Sequence, residues 1–142
     1  MRALVLALAL AACSQPASAP QNPPAPPSPE AATQSLVDAL TPVLAADIGQ
    51  PVALTPSQTR IMDEWGWLVA HPAQASGAAI DWSQTKYAEN AEAGVLDGDG
   101  VTYALLRQEA GQWRVVEFIV GPTDVAWADW PARHGAPEAL FE

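Results

Sequence analysis

Basic residues are scarce in this 142-residue chain: six lysines and arginines stand against 16 aspartates and glutamates, a formal charge of −10. That balance argues against nucleic acid and against anionic lipid surfaces, both of which are recognised by clustered positive charge. Histidine and cysteine are scarcer still, with two of the first and one of the second. A lone thiol forms no internal disulfide. Cys13, His71 and His134 sit at no metal-ligand spacing, so no metal site is expected. The local signatures of serine hydrolases, zinc proteases, dithiol oxidoreductases and nucleotide-binding loops do not occur, and no cofactor is expected. Aromatics are missing from the first 60 residues, although all six tryptophans, both tyrosines and both phenylalanines follow.

What is present first is an export pattern. Met1 and Arg2 supply a positive start, residues 3–10 read ALVLALAL, and two alanines lead into Cys13. A charged start, an apolar stretch and a small-residue cleavage region make a secretory signal. The apolar run is far short of the roughly 20 residues that a spanning helix needs. Leu10, Ala11, Ala12 and Cys13 resemble the lipobox of bacterial lipoprotein signal peptides. The resemblance implies removal of residues 1–12, a diacylglycerol on the Cys13 sulfur and a fatty acyl chain such as palmitate on the new amino terminus. Ser14 stands where an aspartate would signal inner-membrane retention, so the resemblance favours the outer membrane. The rival reading is a free or buried cysteine after a chance apolar run. The physics suits an anchor: each buried methylene contributes about 0.8 kcal/mol, so one chain holds marginally and two or more hold stably.

Residues 14–29 carry seven of the 14 prolines and neither charge nor aromatic. Such a segment buries too little apolar surface to offset its ordering entropy. Proline extends it at roughly 3.1 Å per residue, a tether of about 50 Å over residues 13–29. A proline-rich recognition motif is the rival there, since P-x-x-P spacing occurs. Residues 30–142 then have the size and aromatic content of a single domain. With Arg2 gone, five basic residues face the 16 acidic ones.

The element order predicts an α+β fold. Ser28, Pro29 and Glu30 form a helix start, followed by Leu36, Val37, Leu40, Val43, Leu44 and Ile48 at helical spacing. Pro42 interrupts them and predicts a kink or two short helices, and Gly49 is the stop. Strands are expected over residues 51–71, turning at Asp63 and Glu64. Trp65, Trp67, Val69 and His71 should share one face of the second, and Gly66, Leu68 and Ala70 the other. Residues 72–94 read as a long loop. A hairpin follows, VTYALLR (101–107) to WRVVEFIV (113–120) through QEAGQ. Val116, Phe118 and Val120 alternate with Val115, Glu117 and Ile119, a two-sided pattern that suits a central strand. Thr123 or Asp124 is placed to cap a last helix that stops near Pro131 to Gly135. The expected domain is about four antiparallel strands with both helices on one face, the first kinked at Pro42 and the last short. The stretches DEWGWLVAHP and YALLRQEAGQWRVVEFIVGPTDVAWADW resemble a group of small, uncharacterised bacterial envelope proteins, a resemblance that implies an envelope setting and no particular activity.

Candidate ligand-binding residues are few. LDGDG (96–100) lacks the oxygen ligands that a calcium loop starting at Asp97 requires, and reads as a tight turn. Trp82 beside Asp81 is the first candidate, because a loop tryptophan has the least packing reason to exist. Trp65, Trp67, His71 and Asp124 are further candidates, each with core packing, helix capping or pairing with Arg107 or Arg114 as its plainer role. The expected function is a membrane-anchored envelope lipoprotein with a small non-catalytic binding or accessory domain, held to the membrane through Cys13. Its partner would be an envelope protein or a small ligand, and nucleic acid is not expected. Two alternatives are a small envelope enzyme, with His71 or Asp124 as its acid–base group in a sheet–helix pocket, and an inhibitory or protein-partner module.

Overall fold

The computed structural model describes residues 25–142. The lipobox, Cys13 and most of the tether lie outside the described residues. Helix α1 runs Pro29–Ile48 as one element. The Ser28 hydroxyl accepts from the Ala31 N–H at 3.2 Å, Pro29 opens the first turn, and Gly49 closes the helix at φ 87°. All three follow from the sequence. Pro42 lies inside the helix without dividing it in two, and it has no N–H to donate to the Asp38 carbonyl. Leu36, Val37, Leu40, Leu44 and Ile48 are buried, whereas Val43 is 38% exposed. The apolar stripe is thus narrower than the periodicity suggested.

Four antiparallel strands follow in a simple meander: β1 (Val52–Met62), β2 (Trp65–Gln74), β3 (Thr102–Glu109) and β4 (Gln112–Val120), in that spatial order. The arrangement is α+β, as expected. Asp63 turns β1 into β2 at φ 52°. β1 carries Pro56 inside the strand, which an edge position tolerates. The register breaks between Pro56 and Gln58, and the intervening Ser57 hydroxyl donates to the Val69 carbonyl. β2 runs on through Pro72 to Gln74, beyond the expected end at His71. The β3–β4 turn is only Ala110 and Gly111, not five residues. Both have positive φ, 50° and 79°, as a two-residue type I′ turn requires.

Several expectations change here. β4 is an edge strand, not a central one. Its register slips between Leu105 and Leu106, which pair with Glu117 and Val115 and leave Val116 as the bulged residue, 37% exposed. The slip moves Val115 onto the side of Phe118, so both pack against α1's core. The helices also lie on opposite faces. α1 with Leu68, Ala70, Ala104 and Leu106 forms one core. Trp65, Trp67, Val69 and Leu105 form another, with Trp130, Ala136 and Leu140 from the C-terminal segment. The alternation expected along β2 from Trp65 to Ala70 is therefore real, and both sets are buried. Helix α3 spans Trp130–His134, after a short α2 (Ala88–Glu92) in the long loop. Pro131 was expected near the end of the last helix; it sits in its first turn, where a missing N–H costs nothing. Asp124 caps no helix as a result, because Asp129 holds the position before α3. Residues 126–129 instead wind in turns that bring Trp127 flat onto Tyr103, ring centroids 4.0 Å apart.

Gly66 is where a side chain of α1 presses on the backbone of β2: a Cβ there would meet Leu36 Cδ2 at 2.7 Å. Leu36 is fully buried, so it has little room to yield. Gly66→Ala should cost about 1–3 kcal/mol by overpacking, and Leu36→Ala about 2–5 kcal/mol. The double variant should lose less than the sum, since each change relieves the other. Urea unfolding of the three variants tests this, and strictly additive losses would refute the contact.

Candidate functional site

A groove of about 950 Å³ opens between the N-terminal half of α1 and the hairpin turns at one end of the sheet. Pro26, Pro27 and Pro29 form one rim. Ala32, Thr33, Ser35, Asp38 and Ala39 come from α1, Thr59 and Ile61 from β1, and Asp63 from the first turn. Gln108, Gly111, Gln112 and Trp113 come from the second hairpin. The apolar lining is proline, alanine, Ile61 and the half-buried Trp113. The polar lining is hydroxyl, carboxamide and two carboxylates. Among the described residues, its charged side chains are all acidic. Gln34 Nε2 donates to Asp38 Oδ1 at 2.8 Å and steadies that carboxylate on the helix surface. A volume of this size falls in the range of ligand-binding clefts, about 300–1,000 Å³.

The sequence-derived candidates are not brought together, and none of them lines this groove. Trp65 and Trp67 are 6% and 2% exposed in the C-terminal core. Trp67 is its centre, with Tyr103, Trp127, Trp130 and Phe141 all within 6.0 Å by ring centroid. Arg107 lies over the Trp65 ring at 5.1 Å and pairs with Glu64, so it is not the partner of Asp124. His71 is exposed on β2 opposite Thr55. Asp81 caps a short turn, accepting from the Ser83 N–H at 3.1 Å and the Ser83 hydroxyl at 2.6 Å. Trp82 does have a packing role: its indole covers Gly100, where a Cβ would lie 2.1 Å from the ring, and it meets Tyr87 edge-on at 5.8 Å. Glycine at φ 85° is what admits the indole there. Asp124 is exposed on a separate open groove of about 470 Å³.

That second groove holds a cluster the sequence did not announce. Asp47, near the C-terminal end of α1, accepts from the Tyr87 hydroxyl at 2.6 Å and pairs with Lys86. A carboxylate at a helix C-terminus is disfavoured by the helix dipole, and these two partners offset that. Burial, then the hydrogen bond to Asp47, then the aspartate charge push the Tyr87 phenol well above its ordinary range. Glu117 on β4 likewise receives Arg133 at 2.8 Å and His134 at 2.5 Å, tying α3 to the sheet edge. These contacts join elements 16 to 40 residues apart, so no local pattern points to them.

Among the described residues no three histidine, cysteine or acidic side chains group as a metal site, and no helix is long and apolar enough to cross a membrane. No protein-family model, curated protein or solved structure matches the chain.

The Tyr87 pair has a measurable consequence. Its neutral phenol is favoured in the fold, so the stability it contributes is present below the ordinary value of 10.0 and is lost as pH rises through the higher folded value. Tyrosine Cζ chemical shifts followed through alkaline pH should show Tyr87 ionising well above 10.0, and Asp47→Asn should bring it part of the way back. An ordinary titration of Tyr87 in the wild-type protein would refute the arrangement.

Proposed function

We propose that this chain is a lipid-anchored protein of the bacterial cell envelope, in the outer membrane, whose domain is a non-catalytic binding or accessory module that takes its partner in the groove beneath α1. The observation that carries the binding reading is the groove itself. It is an open cleft of about 950 Å³, with an indole and Ile61 for apolar contact and hydroxyls, carboxamides and carboxylates for orientation. The acid–base groups of the enzyme alternative give it less support, because His71 and Asp124 are both exposed and neither lines this cleft. The Tyr87 phenol is committed to Asp47 and is protonated far above neutral pH, which suits a structural role.

The anchor is the lipidated Cys13, and the proline-rich segment is its spacer. Pro26 and Pro27 line the groove, so the spacer joins the domain at the rim of the proposed site. The excess of acid keeps the domain in solution beside an anionic membrane.

Palmitate labelling should mark the wild-type chain and not Cys13→Ser. The variant should leave the membrane fraction with its circular dichroism spectrum unchanged. Unlabelled wild-type protein would overturn the anchor. Affinity capture from envelope extract should retrieve a partner that Trp113→Ala loses; capture that ignores Trp113 would move the site elsewhere.

A further inference from the structure

We infer that the groove beneath α1 receives an extended basic peptide segment, a lysine- or arginine-bearing stretch of a partner protein. The inference rests on the binding reading above and names the partner class for the same groove.

The sign of the occupant follows from the walls. Asp38 faces the groove from the helix and Asp63 from the β1–β2 turn, with no basic residue lining it among the described residues. The carboxylates come from two elements that line the same groove, so a cation in it is attracted by both. The surrounding chain is strongly acidic and steers a cation inward. An acidic or phosphorylated occupant would meet like charge from both carboxylates.

The floor fits the rest of such a side chain. Lysine and arginine carry apolar stems that lie along apolar surface while the charged head stays polar. Ile61 and the Trp113 indole provide that surface, and an indole face also attracts the cation. The same pairing occurs within the fold, where Arg107 lies over Trp65 at 5.1 Å and Lys86 over Tyr87 at 5.2 Å.

A peptide is favoured over a free amine by the position of β1. Thr59 and Ile61 belong to a strand that, among the described residues, has no strand on its outer side. An extended segment laid there can add main-chain hydrogen bonds to those of its side chains.

The test uses the full chain in neutral detergent and a capped six-residue peptide alternating alanine with lysine and arginine. A glutamate counterpart is the control. Amide and indole NMR shifts should move at Thr59, Ile61, Gln112 and Trp113 with the basic peptide and stay still with the acidic one. Asp38→Asn with Asp63→Asn should weaken binding about tenfold. Glu89→Gln with Glu92→Gln removes the same charge from α2, outside the groove, and should leave affinity within about twofold. Equal weakening by both pairs would reduce the effect to a general field and overturn the inference. So would shifts confined to other surfaces. Groove shifts that depend on protein concentration alone would assign the groove to a second copy. Groove shifts on deleting residues 14–24 would assign it to the chain's own proline-rich segment. Either result overturns a partner peptide. If the basic peptide leaves the groove untouched while partner capture still depends on Trp113, this inference fails and the binding reading stands. If neither holds, both fail.

Discussion

β2 must be covered on both faces, and the rest of the domain is arranged to do it. Its six residues from Trp65 to Ala70 are all buried. Leu68 and Ala70 face α1, and Gly66 lets Leu36 come within contact of the strand backbone. Trp65, Trp67 and Val69 face the other way and would lie in water without the C-terminal segment. Trp130 at 1% exposure and Leu140 at 0% close that side. A meander usually keeps one face solvated. Here the bulky side chains on both faces require a layer on each, so Trp130, Ala136 and Leu140 of the C-terminal segment belong to the core although that segment forms only short helical turns.

The energetics differ between the layers. The fully buried residues on the α1 side are all aliphatic and depend on close fit, so a single added methyl group at Gly66 is felt. The opposite side is aromatic, with Trp67 touching four other rings. Aromatic pairs of this kind contribute about 0.5–1.5 kcal/mol each beyond their burial. The polar ties are peripheral to both layers. Arg107–Glu64 is about half exposed on each partner and adds little, whereas Asp47–Tyr87 fastens the long loop to α1 from a partly buried position.

The groove is a by-product of the same layering. α1 crosses the sheet with its buried stripe beginning at Leu36, so its first two turns, with Thr33 and Ala32, stand over the hairpin ends without filling the space beneath. Trp113 and Ile61 are left half covered there. Carboxylates settle at that rim for local reasons. Asp38 lies on the solvated side of the helix, and Asp63 supplies the positive φ of a tight turn. An acidic cleft arises from residues each of which has a structural reason to be where it is.

Much of the fold was legible along the chain. Ser28, Pro29 and Gly49 bound α1, Asp63 and Gly111 lie in the hairpin turns, and period-two alternation separated the two faces of β2, because each is a matter of neighbouring residues and backbone geometry. Less of the site was. Trp82 read as a loop tryptophan without a partner until Gly100, 18 positions on, came to lie beneath its ring. The slip at Val116 is invisible in the alternation of β4, since a bulge is defined by the strand opposite. Asp38, Asp63 and Trp113 share no spacing and met only when α1 settled on the sheet. Local order is encoded in adjacent side chains and could be read from them. Which distant groups face one another depends on register and layer packing, and that was settled only by the folded chain.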